Sequence, residues 1–374
     1  MLFSRVAMLL ALPAITSTRQ AEMLGPGRTA LIMSDNRRPW PPISVTANRF
    51  EPLLKWEKGA TYYSYAVALA ASYARRHCYD LRLYRFRSTG TKHAVACSHP
   101  TAGPRAIQWC KIIAMQHTLW QRTPNASRTW VYEIAVYLDS DVYFAKPLFS
   151  IADALMMYTP NELGRAGDGV AHSKGTAFAW FASNKPWALA DGLRYSAKDA
   201  GRGHLNSAFF ILRNGRRSQD LMADWWDGAG ARAFHFTQYY EQVALELLLL
   251  SKAHPGVVML NSSRLGYWKH MGQHPNAPTA HIDSSVKSMR LPVLRSALLL
   301  LTLEEAQARS SLPSHAHGIG CDASHVLYIE LPRNLSTDLR RGPAMPGLAG
   351  DDEWLARSQK AIADGKQSVA DVLE

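Results

Sequence analysis

Residues 135–144 read AVYLDSDVYF. Ala135 to Leu138 is an apolar run of buried-strand length. Two carboxylates, Asp139 and Asp141, then arrive one residue apart, ahead of Val142, Tyr143 and Phe144. Side chains at i and i+2 of an extended chain point to the same side, at most about 7 Å apart. Like charges that close raise each other's pKa unless something positive lies between them. The pair is either a solvated strand end or a cation site, and the rest of the chain has to choose.

Working outward, the strand spans Glu133–Leu138. Upstream, Trp109–Gln121 has helical spacing, with Ile112, Ile113, Met115 and Leu119 as its apolar set. Earlier still, Ile43–Ala47 alternates, Tyr62–Arg76 has helical spacing, and Tyr79–Phe86 alternates again. Strand, helix, strand is a βαβ opening, which implies a parallel sheet with a right-handed crossover. Downstream come a buried strand at Ala208–Leu212, a helix near Leu221–Trp226 and a helix at Tyr240–Leu250. Glu241 and Gln242 stand in the first turn of that last helix. A short strand at Val257–Leu260, a helix at Leu291–Arg309 packing back on the domain, and an edge strand at Val326–Leu331 follow. The fold class is α/β, a Rossmann-like, mostly parallel sheet flanked by helices. In open sheets of this class ligands bind outside the C-terminal ends of the strands, which is where Asp139 and Asp141 fall.

The chain has 374 residues and 47% hydrophobic content, enough for a sizeable core. We expect a leader and linker over 1–40, one catalytic domain over 41–309, and a partly disordered extension over 310–374. The formal charge is +12 and the pI about 9.6. That balance suits polyanions or small anionic substrates. Lysines and arginines are scattered, and their densest groups are only pairs (Arg37-Arg38, Arg75-Arg76, Arg216-Arg217, Arg340-Arg341), with no basic tract and no nucleic-acid module, so no nucleic-acid partner is expected.

The N-terminus, MLFSRVAMLLALPAITSTRQ, places Arg5 before an apolar run too short to span a membrane. It fits a secretory signal, with a transit peptide as the competing reading; any membrane association would run through this segment alone. Asn125, Asn261 and Asn334 head glycosylation sequons. None of Cys78, Cys97, Cys110 and Cys321 has metal-ligand spacing. Cys78 and Cys97 could pair across a short excursion, or the thiols are free and buried.

Four stretches together resemble the α-galactosyltransferase and xyloglucan xylosyltransferase family, which includes fungal α-mannosyltransferases. Ser72–Asp80 is similar to its helix ending in Tyr-Ala-x-x-His-Gly-Tyr, with Cys78 where glycine is usual. Trp109–Ile112 resembles its Trp-x-Lys helix start, and Tyr137–Asp141 its strand-terminal Asp-x-Asp. Asn206–Asn214 is similar to its Asn-x-Gly-x-Phe-Leu-x-Arg-Asn strand, with Ala208 for the glycine. Order and spacing match over roughly residues 43–300. Lys269–Gly272 meets the family's late His and Gly.

The resemblance implies a GT-A nucleotide-diphospho-sugar transferase fold and a UDP- or GDP-linked sugar donor. It implies a glycan or glycoprotein acceptor, transfer of a hexose or pentose with retention, and a site in the secretory pathway, either in the Golgi lumen or secreted. A hard octahedral cation, Mn²⁺ or Mg²⁺, would remove the repulsion between Asp139 and Asp141 and keep positions open for substrate phosphates. The resemblance implies that Asp141 binds it directly and that Asp139 acts on the ribose or through water. His270 is the third expected ligand, with His274 and His281 as fallbacks; an imidazole favours Mn²⁺ over Mg²⁺. Lys111 at a helix start reaches a phosphate as a point charge. Asn206 and Ser207 contact the donor sugar or acceptor, Gln242 bonds the sugar, and Glu241 is the one acid to nominate as nucleophile. Asp168, in Gly167-Asp168-Gly169, is a further donor contact. Each of these has a plain structural alternative: a first-turn acid, a capping residue, a solvated lysine or a surface histidine. Trp225 and Trp226 read as core.

Two other functions compete. One is a sugar-binding relative that has lost its chemistry, to which Cys78 and Ala208 point. The other is an Asp-x-Asp phosphohydrolase, which Tyr143 and the distance of the pair from the first strand disfavour.

Overall fold

The computed structural model describes residues 29–37, 61–87, 95–123, 126–151, 155, 177–183, 205–228, 240–251, 254, 256–260, 279–282, 287–311, 326–331 and 335–336. The strands are β1 (Thr29–Asp35), β2 (Asp80–Phe86), β3 (Val95–His99), β4 (Gly103–Ala106), β5 (Arg122–Thr123), β6 (Ala126–Trp130), β7 (Ile134–Leu138), β8 (Val142–Phe144), β9 (Ala179–Ser183), β10 (Leu205–Arg213), β11 (Val257–Leu260), β12 (Thr279–His281), β13 (Val326–Leu331) and β14 (Leu335–Ser336). The helices are α1 (Tyr62–His77), α2 (Cys110–Leu119), α3 (Arg216–Asp227), α4 (Tyr240–Ser251) and α5 (Lys287–Ser311).

The central sheet has seven strands in the order β11-β9-β10-β7-β1-β2-β13. It is an α/β, mostly parallel sheet: β7, β1, β2 and β13 run parallel, as do β11 and β9, while β10 is antiparallel to both its neighbours. Alternation along each strand feeds two cores. Ala30, Ile32, Tyr84 and Phe86 pack with Ile112 and Met115 of α2, Trp225 and Trp226 of α3, and Leu245 of α4. Leu31, Met33, Leu81 and Leu83 face the other way, onto Tyr63 and Tyr73 of α1 and Leu294 and Leu298 of α5. The sheet thus lies between two helical layers.

Two expectations need correcting. The first strand is TALIMSD at 29–35, well ahead of residue 41, where we expected the domain to begin. All but one of its residues are buried, so it reads as a continuous apolar run rather than as an alternation. The expected strand at 43–47 lies outside the described residues, as do the leader at 1–28 and the tail beyond 336. The expected edge strand at Val326–Leu331 is present as β13, which pairs with β2 at the edge of the sheet. Second, Cys97 bonds Cys110, with a Cα–Cα distance of 5.8 Å, so Cys97 neither pairs with Cys78 nor is free. Cys97 and α2 belong to one core and α1 to the other, so the sheet separates Cys97 from Cys78. Cys78 is disulfide-bonded elsewhere.

Cys78 has φ 59° and ψ 37° and caps α1, its N–H donating to the Ala74 carbonyl. That left-handed turn is what a glycine adopts without strain, which accounts for glycine at this place in the pattern Ser72–Asp80 resembles. Among the described residues no helix is long and apolar enough to cross a membrane.

Candidate active site

β7 is fully buried, and it ends at Leu138 where the chain turns out of the sheet. The Asp139 N–H donates to the Ala208 carbonyl at 2.8 Å, and the Val142 N–H to the Asp139 carbonyl at 3.0 Å. This tight turn presents Asp139, Ser140 and Asp141 at the sheet's C-terminal edge. β8 follows and pairs with β12, whose register sets His281 opposite Val142. Beside β7, the pairing of β10 with β9 shifts register between Asn206 and Phe210. Bulges of that kind re-aim side chains. Here the shift brackets Ser207, the residue that meets Lys111.

Lys111 lies in the first turn of α2, next to the disulfide at Cys110. Its Nζ is 2.8 Å from Glu241 Oε1, 3.2 Å from Asp139 Oδ1 and 3.2 Å from the Ser207 carbonyl oxygen. It also lies 5.0 Å from the centre of the Tyr137 ring. The Ser207 hydroxyl donates to Glu241 Oε1 at 2.9 Å, and the Ser207 N–H to Gln242 Oε1 at 3.3 Å. One helical turn along α4, Glu246 accepts the Leu205 N–H at 2.8 Å. Gln242 and Glu246 share one face of α4 and pin it to β10. Five expected site residues, Lys111, Asp139, Ser207, Glu241 and Gln242, are therefore one contact network.

Burial pushes the Lys111 amine down, but Asp139 and Glu241 outweigh it and hold the amine above its ordinary value. Burial pushes the Glu241 carboxyl up, and Lys111 and Ser207 pull it back only in part. We take Lys111 as the charged partner at neutral pH, because two carboxylates face it.

Asp141 forms a second cluster. His281 Nε2 is 3.3 Å from Asp141 Oδ1, and Arg290 Nη2 is 2.5 Å from Asp141 Oδ2. Burial pushes the Asp141 carboxyl up, yet His281 and Arg290 hold it below its usual value. Burial pushes the His281 imidazole down, and Asp141 more than reverses that. The Asn206 amide lies 3.2 Å from His281 Nδ1, and its carbonyl accepts the Ala208 N–H at 2.7 Å. So Asn206 joins the Asp141 cluster.

Asp168, His270 and His274 lie outside the described residues. Trp225 and Trp226 are buried core, and the Trp225 indole N–H donates to the Glu241 carbonyl oxygen at 2.7 Å.

The sequence reading missed four residues at this edge. Asp35 ends β1 and is ion-paired with Arg37. Arg37 also donates to the Ser140 hydroxyl at 3.1 Å, and its guanidinium lies 4.4 Å from the Tyr62 ring centre. Arg290 stands 5.3 Å from the same ring centre. Asp35 had a usable signal, an acid ending an apolar run. Arg37, Tyr62 and Arg290 had none, because their partners are remote in sequence.

The donor set for a hard cation is two carboxylates and an imidazole. Among the described residues no three His, Cys, Asp or Glu side chains converge to enclose a metal ion. Asp141 and His281 do offer oxygen and nitrogen side by side. Asp139 is one-third exposed, with its carboxylate against the buried Lys111 amine. Of the described residues, Asp139, Asp141 and His281 are those that could hold such a cation.

No family model matches the chain, and no curated protein matches it. Solved structures do. The chain is similar to a glycosyltransferase involved in glycosylation of the major capsid of PBCV-1, at 12% identity over 72% of this chain and 98% of that one, with a TM-score of 0.43. It is similar to mouse xyloside xylosyltransferase 1 in its apo form, at 10% identity over 69% and 98%, with a TM-score of 0.36. It is also similar to the galactosyltransferase LgtC in complex with donor and acceptor sugar analogs, at 11% identity over 78% and 99%, with a TM-score of 0.34.

Proposed function

We propose that the chain is a divalent-cation-dependent glycosyltransferase. It moves a hexose or pentose from a UDP- or GDP-linked donor to a glycan or glycoprotein hydroxyl. The observation that carries this is Lys111, a buried amine set between Asp139 and Glu241 at the carboxyl edge of the sheet. A solvated strand end needs no buried lysine behind it. Burying a charge is costly unless it is paired, so the arrangement marks a site whose charges are set for use.

The charges at the edge support an anionic donor with a cation. Asp35, Asp139, Asp141 and Glu241 face Arg37, Lys111 and Arg290, with His281 as the remaining compensating group. That set is close to neutral once His281 carries a proton. A diphosphate arriving there adds negative charge that the side chains do not cancel. Mn²⁺ or Mg²⁺, held by Asp141, by His281 once it gives up its proton, and by Asp139 directly or through water, would supply the missing charge and stabilise the leaving diphosphate.

The chain's own residues do the rest. Lys111 offers a point charge toward a phosphate. Glu241 and Ser207 hold that lysine in place, so Glu241 serves here as its anchor rather than as a nucleophile. Asn206 orients His281, and Gln242 fixes the bulge of β10. The bond from the sugar's anomeric carbon to the diphosphate oxygen breaks, and a bond to the acceptor oxygen forms. The acceptor's proton passes to the departing diphosphate on the same face, giving retention. The disulfide between Cys97 and Cys110 supports an oxidising compartment, the secretory pathway.

The test is release of UDP or GDP from a panel of nucleotide sugars with Mn²⁺, with and without glycan acceptors. Turnover that is abolished by Asp141→Asn supports the reading. Hydrolysis of simple phosphate monoesters in place of nucleotide sugars would replace it with the phosphohydrolase. Binding without turnover on any acceptor would favour a sugar-binding relative.

A further inference from the structure

We propose that Arg290, carried by α5 from beyond the last sheet strand of the site, is a diphosphate-binding residue. This deepens the donor-site reading above and rests on it. Three observations on Arg290 point the same way. Its Nη2 is 2.5 Å from Asp141 Oδ2, so the guanidinium stands at the turn that offers the expected cation ligands. Its Nη1 is 3.4 Å from the Tyr62 hydroxyl, a long and weak contact. Its Nε is buried and, among the described residues, has no hydrogen-bond partner.

A guanidinium has five N–H donors in a planar fork, which matches phosphate oxygens two at a time. Asp141 takes only part of that fork. A buried N–H with no acceptor is costly, and the chain tolerates it where a ligand supplies the acceptor. Arg290 and Arg37 both lie near the Tyr62 ring, 5.3 and 4.4 Å from its centre. Arg37 is itself tied to Ser140 and Asp35. Both guanidiniums thus lie close to the phenol ring, and each reaches the Asp139–Asp141 turn. Leu294 and Leu298 bury α5 against α1, which fixes where Arg290 projects. The cationic wall is thus preorganised before any ligand arrives.

The experiment compares the full chain with Arg290→Gln and Arg290→Lys in the presence of Mn²⁺. UDP and GDP binding is read by calorimetry, and inorganic pyrophosphate is used as a competitor. In parallel, Mn²⁺ binding without nucleotide is read by water-proton relaxation. We expect wild type to bind one of the two nucleotides, with pyrophosphate competing. Arg290→Gln should weaken nucleotide and pyrophosphate about ten- to a hundredfold, the worth of a charged hydrogen bond or two. Arg290→Lys should recover part of the loss, and neither change should lower Mn²⁺ affinity. Arg290→Lys keeps the charge, so it reads the lost fork even if the glutamine variant melts early.

Unchanged nucleotide affinity in Arg290→Gln would overturn the proposal and leave the donor site standing. An equal fall in Mn²⁺ and nucleotide affinity would also overturn it, since Arg290 would then only hold Asp141. Failure of wild type to bind either nucleotide would remove the donor reading and this proposal together.

Discussion

Lys111 Nζ lies 2.8 Å from Glu241 Oε1, and both side chains are almost wholly buried. Lys111 comes from the first turn of α2 and Glu241 from the first turn of α4, on the same side of the sheet. Between them stands the bulged stretch of β10, whose Ser207 touches both. A single amine thus ties two helices and a strand to the Asp139 carboxylate. The charge is as much a part of the packing as the apolar residues behind it.

Removing one partner of a buried pair leaves the other charge uncompensated, which costs about 3–5 kcal/mol. Lys111→Met should therefore lower stability by about that amount. Glu241 bears most of it, because Asp139 reaches solvent. Denaturant unfolding of the two proteins measures this. A loss well under 1 kcal/mol would mean that Glu241 simply takes up a proton.

Ser207→Ala removes the hydroxyl that donates to Glu241. It leaves the backbone contacts to Lys111 and Gln242 in place. We expect about 1–3 kcal/mol of destabilisation and a fall in turnover larger than any fall in donor affinity. Steady-state kinetics alongside thermal melts separates the two effects.

Stability of the metal-free protein should depend on pH through His281 and Asp141. His281 has a folded value above its ordinary one. Its contribution is fully present below the unfolded value of about 6.5 and is lost as pH rises through the folded value. Asp141 works the other way. Its contribution is present above an unfolded value of about 3.9 and is lost as pH falls through its lowered folded value. Melting in EDTA should show stability falling above neutral pH, and His281→Asn should flatten that slope. A slope unchanged by the substitution would show that His281 is not paired with Asp141 in solution.

The disulfide between Cys97 and Cys110 closes a sequence separation of 13. A loop of that size is worth about 3 kcal/mol in chain entropy. It holds β3 to the start of α2, one residue from Lys111. The double variant Cys97→Ser, Cys110→Ser should melt earlier and lose donor binding by loosening that lysine. Intact binding in the melted-down variant would mean that α2 is held by its core face alone.

Much of the fold was legible because local patterns carried it. α1, α2, α4, β2, β7 and β11 fall within a residue or two of the sequence reading, since each has its own period or apolar run. β1 escaped because a strand buried on both faces shows no alternation. β8 and β12 escaped because three-residue strands carry no pattern of their own. In the site, Lys111, Asp139, Ser207, Glu241 and Gln242 were named one by one, and the structure brings them into contact. Arg37, Tyr62 and Arg290 were not legible. A cation stacked on a ring far along the chain leaves no mark on spacing. The Cys97 partner was misread because spacing does not show which side of a sheet a thiol faces; Cys110, nearer in sequence than Cys78, shares a core with Cys97.

The most direct test of the central claim is a thermal melt of the full chain with UDP- and GDP-sugars, with and without Mn²⁺, beside Asp141→Ala. A ligand that binds only the folded state raises the melting temperature by mass action. The account predicts that one nucleotide class stabilises the protein only when Mn²⁺ is present, and that Asp141→Ala abolishes the shift. No shift with any nucleotide, with or without metal, would contradict it.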